Sequence, residues 1–209
     1  MQEKLKSRYK PLPPVEGAAG ERYPLASGGL VNVYRNELGT DDPRLVTCFH
    51  GGRFVMGSAK EDDTFCRELC VLCDVVVLSI DYNVAPQALF TSAIEGSMSA
   101  LDYSMEFSLK PATLMGFGGS ANLALAVALK GHVGVRGDHV KGMVAMSPLG
   151  MHPDGVPAGQ KPRWTSLDAN GKPSYNSKSA ITSWLTPYSA PPKDLWMSAL
   201  LHGNLGQLQ

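Results

Sequence analysis

The sequence lacks any imbalance of charge: 19 Lys and Arg stand against 19 Asp and Glu, and only 18% of its 209 residues are charged. A neutral, sparsely charged chain has no basic face for nucleic acid or for an anionic membrane surface. Long apolar runs are also missing; none approaches the ~20 residues that span a bilayer. The opening stretch, MQEKLKSRYKPLPP, has no apolar segment of the kind that directs secretion. Cysteine is scarce, with four residues at positions 48, 66, 70 and 73. Without a secretory signal these read as reduced thiols in a cytoplasmic protein. What remains is a hydrophobic content of 44%, which argues for a folded core and against disorder.

The segments follow an alternating order. Residues 1–28 are polar and rich in proline, and read as an N-terminal arm with a short helix at its start. Leu30–Tyr34 alternates like a half-buried strand. Arg44–Phe49 is a short apolar strand running into His50-Gly51-Gly52-Arg53. Glu61–Cys73 has helical spacing at Phe65, Leu69 and Leu72, and Val75–Ile80 is apolar on both faces, as in the middle of a parallel sheet. Thr91–Phe107 reads as a second helix, Ala112–Phe117 as a third buried strand, Ala121–Leu129 as a helix and Val140–Met146 as a fourth strand. That succession predicts an α/β protein with a mainly parallel sheet and helices on both faces, occupying residues 29–209 as one domain. Residues 147–175 lose periodicity and fill with Pro, Gly and Asp, so 147–209 reads as a lid-like or C-terminal segment. Weak helical patterning returns there at Ser177–Leu185 and Asp194–Leu201.

Two strings suggest chemistry and lose to plainer readings. Cys66-x-x-x-Cys70-x-x-Cys73 has the spacing of an iron–sulfur ligand set. It falls on an amphipathic helix, however, with the thiols facing the same way as its apolar residues, so packing is expected and no metal. Gly116-x-Gly118-x-x-Ala121 fits a dinucleotide fingerprint. Two parallel strands already precede it, and the next strand ends in Met146-Ser147-Pro148 without an acid, so no nucleotide cofactor is expected. A third pattern is a constellation. His50-Gly51-Gly52, Asp81-Tyr82-Asn83-Val84-Ala85-Pro86, the Gly-rich turn 116–122 and Ser147-Pro148 each follow a buried strand, at the end where α/β sheets place their sites.

These four motifs resemble those of the α/β-hydrolase fold, in its hormone-sensitive-lipase-like esterase branch. Members carry HGGG, DYRLAPE, GDSAGGN and SP; here they read HGGR, DYNVAPQ, GFGGSAN and SPL. The resemblance implies a hydrolase-type sheet, carboxylic-ester hydrolase lineage, a small apolar ester-like or lactone-like ligand and no cofactor. By resemblance, Gly51, Gly52 and Gly119 supply the oxyanion hole, and His50, Arg53, Tyr82 and His152 belong to the pocket.

The departures predict impairment. Aligned without a gap, the nucleophile position is Gly118; a two-residue slip makes Ser120 the candidate catalytic serine. Arg53 stands where the family has a third glycine. The strand, acid and histidine that the family places after the equivalent of Trp196–Leu201 have no counterpart, so the chain reads as truncated, with His152 as the one substitute base. The expected product is a weak or inactive esterase-like pseudoenzyme. The alternatives are a non-catalytic binding or accessory protein, or a non-hydrolytic enzyme that performs a cyclisation or elimination. With no strand after it, Val140–Met146 is expected to leave an open sheet edge, and with it a homodimer, a partner chain or poor solubility.

Overall fold

In the computed structural model, residues 15–107, 110–132, 137–169 and 177–198 are described. Among these residues six strands form one sheet: β1 (Ala18–Pro24), β2 (Leu30–Asn36), β3 (Arg44–Phe49), β4 (Val75–Asp81), β5 (Ala112–Phe117) and β6 (Val140–Met146). Their spatial order is β1-β2-β4-β3-β5-β6. The four strands β4, β3, β5 and β6 run parallel, while β1 and β2 are antiparallel additions at one edge. The expected mainly parallel α/β sheet is therefore present.

Alternation along the strands feeds two cores. In β4, Val76, Leu78 and Ile80 join one apolar cluster, and Val75 and Val77 join the other. The larger cluster holds α2 (Ser92–Phe107) and α3 (Gly119–His132), and the smaller holds Cys66 and Cys70 of α1 (Asp63–Cys73). Helices thus cover both faces, which explains why β3 and β4 are apolar on both sides.

The structure departs from the sequence expectations at particular residues. Ala18–Pro24, inside the stretch read as an arm, is strand β1. A tight turn folds it back on β2: Leu25 N–H donates to the Gly29 carbonyl at 2.8 Å, and Gly28 takes φ +84°. Arg22 then pairs with Asp81 at 2.7 Å, and Arg67 of α1 donates to the Ala18 carbonyl at 2.7 Å. The helix expected at the start of the arm lies outside the described residues. Leu72 and Cys73 do not share the buried face of α1; Leu72 is 82% exposed and Cys73 is exposed. Residues 195–198 form turns rather than a helix, with Asp194 Oδ1 accepting from Trp196 N–H at 2.8 Å. The remainder of that expected helix lies outside the described residues. Among the described residues, the loop after β6 holds the single turn α4 (Ser166–Ala169) and two 3₁₀ turns before α5 (Lys178–Tyr188).

Helix α3 lands on β5 at a point where only glycine fits. A Cβ on Gly116 would lie 2.3 Å from the Ser120 carbonyl oxygen and 2.5 Å from its carbon, both backbone atoms. Gly116→Ala is expected to destabilise the fold by on the order of 3 kcal/mol through forced overpacking. Urea denaturation measures this, and an unchanged midpoint would show that α3 can move away at no cost.

Candidate active site

The turn from β5 into α3 carries the site. Gly118 sits at its apex with φ +60°, and a Cβ placed there would meet nothing within 4 Å. Gly118 N–H donates to the Met146 carbonyl at 2.9 Å, and its own carbonyl accepts from Leu149 N–H at 3.0 Å. The apex is therefore held against the end of β6. Ser120 lies two residues into the turn and is fully buried. Its hydroxyl donates to the Phe117 carbonyl and accepts from Phe117 N–H, both at 2.9 Å. Ser120 does not line the cleft beside the apex. Asn122 ties the same helix to what covers it, donating to the carbonyls of Leu149 at 3.0 Å and Met197 at 3.1 Å.

The loop after β3 faces this turn. His50 is buried, its ring stacked on Tyr82 with centroids 4.1 Å apart. His50 Nδ1 donates to the Gly51 carbonyl at 2.7 Å, and the Tyr82 hydroxyl donates to the His50 carbonyl at 2.9 Å. Burial raises the Tyr82 phenol well above its ordinary range, so it stays a hydrogen-bond donor. Both rings thereby order the loop backbone. Gly51 N–H donates to the Asp62 carboxylate at 3.3 Å, and burial raises Asp62 despite that bond. Gly52, at φ +141°, has no room for a side chain: its Cβ would sit 1.7 Å from the Met56 carbonyl oxygen.

Arg53 and Phe54 continue the loop in left-handed conformations, φ +57° and +67°. Such angles cost a non-glycine residue roughly 1–2 kcal/mol each. Side-chain contacts offset that cost. The Arg53 guanidinium lies 3.9 Å over the Trp184 ring, and Phe54 stacks on Tyr188 at 4.4 Å. Both partners belong to α5. A Cβ on Gly119 would lie 3.0 Å from the Arg53 Cα, so loop and elbow are in close contact.

Between them opens a cleft of about 810 Å³. Gly51, Gly52, Gly118 and Gly119 form its floor with Ser147 and Pro148, and Phe54, Leu149, Trp164, Leu167, Ile181 and Trp184 are among its apolar walls. Of the expected site residues, Gly51, Gly52, Arg53, Gly118 and Gly119 thus meet at one cavity, while His50 and Tyr82 support it from behind. His152 does not line it. Its Nδ1 accepts from Asp154 N–H at 3.1 Å, capping the 3₁₀ turn Pro153–Gly155. His139 is bonded to Ser104 Oγ at 3.0 Å, and His202 lies outside the described residues. The aromatic walls contributed by Trp164 and Trp184 were not expected. Trp164 reaches the site from the aperiodic stretch after β6, and Trp184 from the weakly patterned helix α5. Among the described residues, no group of three His, Cys, Asp or Glu could hold a metal, and no helix is long and apolar enough to cross a membrane. Cys66 and Cys70 pack in the smaller core, where burial pushes the Cys70 thiol up to about 11.

Burial lowers the pKa values of both His139 and His152. Each is therefore held neutral in the folded chain at pH values where the unfolded chain takes up a proton. The stability they support is complete above the unfolded value of about 6.5 and is lost as pH falls through the lower folded values. Denaturation midpoints are expected to be lower at pH 5.5 than at pH 7, with the difference reduced in a His139→Gln/His152→Gln chain. Equal midpoints in the unaltered chain would contradict this.

A family model described as alpha/beta hydrolase fold matches residues 46–209. The chain is 34% identical over 202 residues to versiconal hemiacetal acetate esterase of Aspergillus parasiticus, covering 96% of this chain and 64% of that protein. It is 32% identical over 207 residues to FAD-linked oxidoreductase pytB of Aspergillus terreus, covering 99% of this chain and 26% of that protein. The chain thus spans about two thirds of one relative and a quarter of the other. Among solved structures, vibralactone cyclase superposes with a TM-score of 0.81 at 19% identity, covering 96% of this chain and 62% of the cyclase. That last likeness is one of fold.

Proposed function

The chain belongs to the α/β-hydrolase fold family, within an esterase-like lineage, and from that premise we propose that its cleft receives a small apolar ester-like or lactone-like ligand without attacking it through an elbow serine. The observation that carries this is the apex. Gly118 has the left-handed φ of +60° and open space where a side chain would project, yet it has no side chain. In the resemblance drawn above, that is the position of the nucleophile. Ser120 is buried and committed to the Phe117 backbone, so its hydroxyl serves the turn. Among the described residues, no histidine lines the cleft. Covalent catalysis needs a nucleophile within hydrogen-bond reach of its base. The cleft supplies shape and apolar surface instead, which suits binding or positioning.

The test is turnover. On p-nitrophenyl butyrate the purified chain is expected to show no burst, and Ser120→Ala is expected to leave any residual rate unchanged. A fluorophosphonate is expected to label neither the chain nor its Gly118→Ser variant, since no base is among the described residues that line the cleft beside the apex. Turnover that Ser120→Ala abolishes would sink the proposal. Labelling of the Gly118→Ser variant would do so too, by revealing a base at the cleft.

The open edge supports a further part of the same proposal, self-association or a partner chain. Among the described residues β6 pairs with β5 alone, and Val144 and Met146 on it are 36% and 40% exposed. An uncovered strand edge with apolar side chains is a template for pairing. Sedimentation velocity at micromolar concentration is expected to show species larger than the monomer. A single monomeric species at every concentration would oppose it.

A further inference from the structure

The surface that the cleft leaves open to a ligand is largely aromatic. Among the described residues, and apart from Pro148 on the floor, the apolar side chains that line it and stay partly exposed are Phe117, Leu149, Trp164, Leu167 and Trp184. The three rings are the largest of these. We propose that the cleft selects a planar fused-ring aromatic molecule over an aliphatic one of the same size, a choice of ligand that deepens the binding reading given above and rests on it.

Three observations converge on it. First, the choice of wall residues is selective. Trp164 and Trp184 are two of the chain's three tryptophans, while none of its nine methionines lines the cleft among the described residues. Methionine is the side chain that lets a surface repack around flexible ligands, and tryptophan presents a rigid face. Second, two of the rings are held by partners of their own. Phe117 meets Phe65 edge to face, with centroids 5.3 Å apart and planes at 85°, and Trp184 lies 3.9 Å beneath the Arg53 guanidinium. Walls that are ordered before a ligand arrives cost little to order on binding. Third, the floor is bare. Gly51, Gly52, Gly118 and Gly119 carry no side chains, and at Gly51 and Gly118 a Cβ would meet nothing within 4 Å. A flat molecule can therefore lie against backbone while its faces and edges meet the ring-bearing walls.

The competing ligand is aliphatic, and area alone does not reject it. A saturated ring system or an acyl chain removes as much apolar surface from water as an aromatic one. It has no quadrupole, however, so it forgoes the offset and edge contacts that ring pairs add beyond their buried area. A flexible chain also loses rotamer freedom that a fused ring system never had. The cavity volume of about 810 Å³ lies in the range that holds a drug-sized ligand, so fused rings fit without displacing a wall. The cleft therefore ranks the flat aromatic molecule above its saturated counterpart.

The experiment compares 2-acetylnaphthalene with its saturated counterpart 2-acetyldecalin by isothermal titration calorimetry on the full chain. Both carry one methyl ketone on a pair of fused rings, and the saturated compound is the more apolar, so hydrophobic burial alone ranks it first. The naphthyl ketone is expected to bind about ten-fold more tightly, the gain that one or two well-placed ring pairs supply. Trp164→Leu and Phe117→Leu are each expected to cut that preference to about three-fold or less while changing the affinity for the decalyl ketone by less than about two-fold. Where a variant melts early, the two ketones on the unaltered chain decide the matter by themselves. Equal affinities there, or tighter binding of the decalyl ketone, would overturn the aromatic assignment while leaving the cleft a binding site. A preference that survives both substitutions in folded variants would overturn it as well, by placing the selection away from these walls. Failure of both ketones to bind would overturn the assignment together with the premise that the cleft receives a ligand. Neither compound has an ester bond, so the outcome is independent of any hydrolysis.

Discussion

The bare Cα of Gly116 against the backbone of Ser120 is the contact on which the rest of the site depends. Because nothing projects from Gly116, α3 can start immediately after β5 and lie close to it. That closeness lifts Gly118 onto an apex with a left-handed φ and sets Gly119 against Arg53 and Phe54. Phe54 in turn stacks on Tyr188, which brings α5 and its Trp184 over the cleft. Phe90 N–H donates to the Tyr188 carbonyl at 2.9 Å, so the loop after β4 is drawn into the same assembly. A β-carbon at one position in the sheet would loosen each of these in succession.

The parts of the fold legible in sequence were those whose side chains answer to both faces of the sheet. Val75–Ile80 is buried throughout and apolar but for Ser79, because α1 covers one face and α2 and α3 the other. β1 was not legible for the opposite reason. Gly20 has no side chain to alternate and Glu21, Arg22 and Pro24 are exposed, so the strand is held by its ladder to β2, by Arg22 on Asp81 and by Arg67 on Ala18. Its turn at Leu25–Gly29 was the available signal. Leu72 and Cys73 misled because the buried stripe of α1 stops at Cys70, and Asp74 closes the helix in a left-handed cap.

At the site, what could be read was local. His50-Gly51-Gly52 and the turn around Gly118 announce themselves because each performs its work within a few residues of chain. The competing assignments of the apex, Gly118 or Ser120, could not be separated by spacing, since a glycine-rich stretch tolerates a slip of two. Geometry separates their placements: one has the left-handed φ and open space, the other a hydroxyl closed on Phe117. The meeting of Arg53 with Trp184 was out of reach for a different reason. It joins positions 131 residues apart through a cation–π contact, for which no periodicity exists.

Global neutrality also concealed the site's electrostatics. Equal totals of acid and base exclude a basic footprint on the whole molecule, yet they say nothing about the lining of a cavity, where Arg53 lies over Trp184 among glycines and apolar side chains. The elbow illustrates the complementary point. Its tight glycine, left-handed apex and tied loop all persist although the apex has no nucleophile. The constraints that shape a pocket, close backbone approach and ordered loops, are met by residues other than the one that would do covalent chemistry. A chain can therefore keep the close backbone approach and the ordered loops of such a cavity with glycine at the apex.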